Sequence, residues 1–208
     1  MKSEPDWPAR LVAMPVEVRL KTGMEPSVAT ATTRLTYHDL QQIPPDRSRY
    51  ELIEGELFVA AAPNTEHQRK SFRLSRILAE HAEEHDLGEV FIAPFDVVLD
   101  DSTVLEPDIV FVSKARQSIV TRACIVGAPD LVVEVLSDSS RTIDRFVKRD
   151  RYAEFGVAEY WLFDPFEPRI EVLRLEGRKY RLIGSFGPAD TLDASPTFPE
   201  LRIPMSSL

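Results

Sequence analysis

A chain of 208 residues, 43% hydrophobic and 28% charged, has the make-up of one folded domain with a sizeable core, which excludes a disordered or fibrous protein. The formal charge of −9 argues against a protein that coats nucleic acid indiscriminately, because that affinity comes from clustered Lys and Arg. It does not exclude metal-dependent chemistry, since carboxylates that hold an ion add local negative charge that the ion then cancels. The single cysteine, Cys124 in ACIVGA, rules out an intrachain disulfide and a Cys-rich zinc site and reads as a small core side chain.

Residues 1–33 carry several prolines and the small-polar run SVATATT, so they read as a poorly ordered leader. Met14 and Met24 lie within it as alternative translation starts. Prolines break any signal-peptide core in MKSEPDWPARLVAMPVEV, and no stretch approaches the roughly 20 apolar residues of a membrane helix. A cytoplasmic protein is the expectation, with a folded domain over residues 34–208.

LTYHDLQQIP predicts a short helix capped by Thr36 and ended at Pro44 and Pro45. RYELIEGELFVAAAP predicts a hairpin turning at Glu54–Gly55. Between Asn64 and His85, the apolar residues Phe72, Leu74, Ile77, Leu78 and Ala82 recur at helical spacing, with Asn64 as cap. EVFIAPFDVVLDD, VLEPDIVFVS and PDLVVEVLS are β-branched runs suited to central strands. A second long helix is expected over Arg141 to Phe155, stopped by Gly156. AEYWLFDP, a hairpin in RIEVLRLEGRKYRLIGSF turning at Glu176–Gly177, and LRIP add further strands. The pattern predicts a mixed α/β single domain without internal repeats.

Acidic residues inside apolar strands carry the chemistry, because burying a carboxylate is costly unless something pairs with it. Asp108 precedes IVFV and Glu134 lies within LVVEVL. Read structurally, Asp108 is a turn residue after Pro107 and Glu134 is half of an ion pair with an arginine. Read functionally, two carboxylates on neighbouring strands ligate a hard cation such as Mg²⁺, with Mn²⁺ as substitute, and the ion activates water for phosphoryl transfer. Lys148 shares a helix face with Asp144 and Tyr152. There it either stabilises phosphate charge or is a solvated lysine paired with Asp144. Arg141, Arg145, Lys148, Arg149 and Arg151 make this the most basic helix, a phosphate-tracking face or a solvated one. Trp161 and Tyr160 read as core or dimer-surface aromatics, and Asp164 as a turn residue before Pro165.

The ordered series YELIEGEL, His67, EPDIVF, PDLVVEVLS, a helix with D…K…Y, and GVAEYWLFDP resembles the Uma-two family of restriction-endonuclease-like proteins over about Leu35 to Leu208. The resemblance implies the PD-(D/E)XK nuclease fold, a central mixed β-sheet flanked by helices with a divalent metal at one end. Pro107 and Asp108 match the PD, and Glu134 the following acidic position. Where that pattern has lysine, this chain has Leu136. The resemblance is to nucleases whose lysine has moved to the next helix, which gives that role to Lys148. Glu51 matches an acidic position near the N-terminal end, and His67 stands at the start of the first long helix, where it can meet phosphate or move a proton. The resulting expectation is a Mg²⁺-dependent endonuclease acting on DNA, with Asp108 and Glu134 as metal ligands and Lys148, Glu51 and His67 in the catalytic set. A homodimer fits cutting of both strands. The alternatives are a noncatalytic DNA-binding or regulatory subunit, kept open by Leu136, and a small-molecule phosphoesterase.

Overall fold

A computed structural model describes residues 34–44, 48–60 and 62–208, and the expected leader with Met14 and Met24 lies outside the described residues. Residues 34–208 form one packed unit. In chain order the elements are α1 (Tyr37–Leu40), β1 (Arg49–Ile53), β2 (Glu56–Ala60), α2 (Thr65–Glu84), β3 (Gly88–Ile92), β4 (Asp96–Asp100), β5 (Thr103–Leu105) and β6 (Ile109–Ser113). Then come β7 (Cys124–Val126), β8 (Leu131–Val135), α3 (Arg149–Phe155), β9 (Glu159–Asp164), β10 (Arg169–Glu176), β11 (Lys179–Phe186), β12 (Thr191–Leu192) and β13 (Ile203–Pro204). Among the described residues, no helix is long and apolar enough to cross a membrane.

The local signals act as read. Thr36 Oγ1 accepts the Asp39 N–H at 3.3 Å, and the Asp39 carboxylate accepts the Thr36 N–H at 2.8 Å, a reciprocal cap of α1. Asn64 Oδ1 accepts the His67 N–H at 2.9 Å and starts α2. Glu54 and Gly55 adopt φ of 55° and 79°, the double left-handed turn that suits a two-residue hairpin.

The chain builds a mixed α/β architecture, but the expected central sheet is divided. One sheet has six strands in the order β11-β10-β9-β8-β6-β3, with β8 and β9 parallel. A second has five, in the order β2-β1-β5-β4-β7. The division falls at prolines. EVFIAPFDVVLDD splits around Pro94, so β3 joins the six-stranded sheet and β4 the five-stranded one. VLEPDIVFVS splits at Pro107, so β5 and β6 go to different sheets. Proline has no N–H to give to a ladder, so a strand that reaches one can end and leave its sheet there. The segment Glu106-Pro107-Asp108 thereby crosses from one sheet to the other.

Both faces of the six-stranded sheet are covered. Phe111, Val133, Trp161 and Phe163 pack with Leu74 and Leu78 of α2 on one side. Val110, Val132, Tyr160 and Leu162 pack with Tyr152 and with Val97, Leu105 and Ile125 on the other. This double burial explains why β8 and β9 read as nearly continuous apolar runs, every residue of each being buried.

The second long helix is not the regular α-helix expected over Arg141 to Phe155. Ile143–Lys148 is a π turn, followed by α3. The buried Tyr160 hydroxyl donates to the main-chain oxygen of Asp144 at 3.0 Å, taking up a carbonyl inside that turn. Such wide turns recur where a helix presents functional side chains. Gly156 closes α3 at φ 88°, its N–H bonding the Tyr152 carbonyl at 3.1 Å.

Gly88 gives a direct check on the pairing of β3 with β6. Its φ is +152°, and a Cβ there would lie 2.2 Å from the Val112 carbonyl oxygen and 2.8 Å from Ser113 Cα. Gly88→Ala is expected to cost about 2 kcal/mol or more and to lower the melting temperature by roughly 4–8 °C. A circular-dichroism melt that superimposes on wild type would contradict this pairing.

Candidate active site

The site lies where the two sheets part. β6 and β8 are antiparallel with Ile109 opposite Val133, so Asp108, one residue earlier, comes level with Glu134, one residue later. The Val135 N–H donates to Asp108 Oδ2 at 2.8 Å and locks that alignment. In the other sheet Leu52 pairs with Val104, which brings Glu51 to the end of β5. There Glu51 Oε1 accepts the Glu106 N–H at 2.9 Å. Backbone pairing in two sheets thus delivers the carboxylates of Glu51, Asp108 and Glu134 to one region.

Lys148, in the π turn, enters from above. Its Nζ lies 2.8 Å from Glu51 Oε1, 3.2 Å from Glu134 Oε1 and 3.4 Å from Asp144 Oδ1. Tyr152, one turn further on, donates its hydroxyl to Glu134 Oε1 at 2.9 Å. All five side chains are buried. A second group surrounds Asp108, whose Oδ2 lies 3.2 Å from His67 Nε2 and whose Oδ1 lies 3.3 Å from Arg49 Nη1. Arg49 also bonds the carboxylate and the main-chain oxygen of Glu106. His67 Nδ1 is buried without a hydrogen-bond partner among the described residues.

The electrostatics divide the carboxyls into two kinds. Burial pushes Asp108 up, but His67 and Arg49, with the Val135 N–H, outweigh it and hold this carboxyl below its usual range. Burial dominates at Glu134 and holds its carboxyl well above the usual range; Lys148 opposes the shift, while Asp144, Asp108 and Glu51 add to it. Asp144 is raised for the same reason, again against Lys148. Glu106 is raised by burial against the pull of Arg49. Burial alone would lower Lys148, yet Glu134, Glu51 and Asp144 hold it well above its ordinary value, so it is an ammonium ion. The cluster carries more carboxyl groups than cations, an imbalance that favours binding of a further cation.

All five residues singled out in the sequence, Glu51, His67, Asp108, Glu134 and Lys148, meet here. Burial removes the solvated reading of Lys148, Glu51 and His67 are buried beside it, and the partner of Glu134 is Lys148 rather than an arginine. Arg49, Glu106, Asp144 and Tyr152 belong to the same network. Glu106 and Arg49 stood in the quoted motifs, but nothing in a linear reading indicated that Arg49 would bridge to Asp108, 59 positions away. Of the two readings of the basic helix, a phosphate-tracking face or a solvated one paired with carboxylates, the geometry supports the paired one. Arg141 pairs with Asp164, Arg145 with Glu171, Arg149 with Asp150, and Arg151 with Glu54 and Glu154, so its guanidinium groups are already matched by carboxylates.

Asp108, Glu134 and Glu51 offer oxygen donors alone, the set a hard cation such as Mg²⁺ takes, and the surplus of carboxyl groups fits such an ion. Among the described residues, no three His, Cys, Asp or Glu side chains already stand as a metal cage. A divalent ion would therefore rest on two carboxylates and draw its other ligands from water and substrate.

The fold is that of a restriction-endonuclease-like α/β protein. A crystal structure of a "putative nuclease belonging to DUF820" from Anabaena variabilis superposes with a TM-score of 0.70 at 18% identity, over 83% of this chain and 96% of that one. The family Uma2, described as "Putative restriction endonuclease", matches residues 36–206, and the chain belongs to it. An uncharacterized protein of Synechocystis sp. is 26% identical over 158 residues, 75% of this chain and 89% of that protein.

Glu134 is placed at the expense of stability. Because its folded pKa is raised, proton uptake favours the folded state. Its contribution is therefore best below its ordinary value of 4.5 and worsens as pH rises through the window up to its folded value. Glu134→Gln keeps an oxygen for Lys148 and Tyr152 while removing the buried charge. The variant is expected to melt a few degrees above wild type at neutral pH, with the advantage fading toward pH ~4. Melting curves across pH test this; a variant less stable than wild type at neutral pH would count against the raised carboxyl.

Proposed function

We propose that this chain is a metal-dependent endonuclease that hydrolyses DNA phosphodiester bonds, with Asp108 and Glu134 holding a Mg²⁺ ion that Mn²⁺ can replace. The observation that carries the reading is the approach of the Lys148 ammonium to within 3.2 Å of the Glu134 carboxylate. A lysine supplied by the following helix makes good the lysine that Leu136 displaces from the strand. When bound, the ion would polarise a phosphate oxygen and lower the pKa of a coordinated water.

The chain's own residues have separable tasks. Asp108, held ionised by Arg49 and His67, is the firm anionic ligand. Glu134, fixed by the Tyr152 hydroxyl and the Lys148 ammonium, is the second. Lys148 brings a fixed positive charge to the edge of the metal position, where it offsets charge growing on the phosphate in the transition state. Glu51 orients that ammonium from the opposite sheet, and His67, its Nδ1 unbonded, is placed to exchange a proton beside Asp108. A symmetric dimer would present two such sites to the two strands of a duplex.

Plasmid and single-stranded DNA cleavage, followed with Mg²⁺ and Mn²⁺ beside calorimetric metal binding, tests the reading. Wild type is expected to cut only with metal. Asp108→Ala and Glu134→Ala should lose both the ion and cleavage, whereas Lys148→Ala should still bind metal but cut about 10²–10³-fold more slowly. A wild-type protein that binds neither metal nor cuts DNA would overturn the enzyme reading in favour of a noncatalytic subunit.

A further inference from the structure

Three buried carboxylates converge on one ammonium. Glu51 comes from β1, Glu134 from β8 and Asp144 from the π turn, and their oxygens lie 2.8, 3.2 and 3.4 Å from Lys148 Nζ. Asp144 is 1% exposed, and its Oδ1 faces the ammonium but makes no hydrogen bond. These spacings suit an ammonium, whereas Mg²⁺ or Ca²⁺ would draw oxygens in to about 2.0–2.6 Å. The Asp144 main chain is fixed by the Tyr160 hydroxyl, and Glu51 by the Glu106 N–H. The pocket around Nζ is therefore built by its walls and not by the lysine alone.

We propose that the Lys148 ammonium is the resident cation of a cage formed by Glu51, Glu134 and Asp144, filling a position that a second divalent ion would otherwise occupy. The native chain accordingly takes no divalent ion in the cage, and any ion it binds rests beside Asp108. The inference builds on the metal-dependent reading above but is separable from it, because the cage is defined by what binds once the ammonium is withdrawn. Asp144, which the proposed metal position does not use, is given a role as the third wall. Without a counter-charge three buried carboxylates must take up protons or a cation. With the lysine side chain gone the oxygens, now 2.8, 3.2 and 3.4 Å from Nζ, are free to close toward the about 2.0–2.6 Å that a divalent ion requires.

The test counts ions. Full-length wild type, Lys148→Ala and Lys148→Ala/Asp144→Asn are titrated with Mn²⁺ by calorimetry, with Tb³⁺ luminescence as a second readout. Lys148→Ala is expected to bind one ion more per chain than wild type, and the double variant to lose most of that gain, with affinity for the extra ion at least tenfold weaker. An equal count in wild type and Lys148→Ala overturns the proposal, as does a wild type that already binds two. If wild type binds none and Lys148→Ala binds one, the cage stands and the metal-dependent function falls. Should Lys148→Ala fail to fold in chelator, its melt is repeated in millimolar Mn²⁺. Return of a cooperative transition supports the cage, and no return overturns it.

Discussion

The structure turns on a buried ammonium held by acids from three elements. Taking one charge out of water costs several kcal/mol even after relaxation, and here Lys148 is buried together with Glu51, Glu134 and Asp144. Such a group is tolerable only if each member is fixed, and the surrounding framework can be read as the means of fixing it. Glu51 is tied to the Glu106 N–H, Glu134 to the Tyr152 hydroxyl, and the Asp144 backbone to the Tyr160 hydroxyl. Tyr152 and Tyr160 are fully buried in α3 and β9, and Glu106 is held between β5 and β6, so rigidity passes from core to site. Removing the ammonium would leave three buried carboxylates uncompensated, whereas removing the charge of one acid still leaves two to balance it.

The two sheets follow from the same requirement. A single continuous sheet would set Asp108 and Glu134 side by side, as the β6–β8 ladder does, but would leave Glu51 without a route to them. The break at Pro107 sends the chain from β5 to β6 across the gap between sheets. The crossing segment itself supplies Glu106, whose N–H holds Glu51 and whose carboxylate holds Arg49, and Asp108, which Arg49 also reaches. A backbone irregularity caused by one missing N–H thus becomes the joint around which the site is assembled.

Much of this was legible in the sequence, because the residues involved break local rules. Glu134 in LVVEVL and Asp108 beside IVFV are charges where a strand calls for apolar side chains, and the fold buries both and brings them together. Caps at Thr36 and Asn64 and the turn at Glu54–Gly55 depend on neighbours a few positions apart, and short-range chemistry is readable from short stretches; the second hairpin turns one residue later than expected, at Gly177–Arg178, with Glu176 still paired to Lys179. What escaped depends on long-range or ambiguous cues. Arg49 is an ordinary residue for a strand, and Tyr152, though visible on the helix face of Lys148, carried no sign that it would bond Glu134. Asp144 was visible as the i,i+4 partner of Lys148, but spacing alone does not distinguish a solvated pair from one with 1% of its aspartate exposed. The prolines at 94 and 107 were visible too, yet a strand that ends at proline can resume in the same sheet or another, and only tertiary packing decides.

The π turn explains how an ammonium reaches Glu134 from outside its strand. A side chain two residues beyond Glu134 would approach from within the sheet, and that position is now Leu136, fully buried in the core on the side of Tyr152 and Tyr160. A lysine there would have to displace a packed side chain, so the ammonium beside Glu134 comes from another element. The helix after β8 is the nearest in the chain, and its wide turn carries both Asp144 and Lys148 as buried residues. Tyr160, on the strand parallel to β8, takes up a carbonyl within that turn. Tyr152 and Tyr160 pack in the same core as Leu136 and also hold Glu134 and the turn that carries Lys148, so one aromatic layer both fills the core at position 136 and supports the helix that brings the ammonium to Glu134.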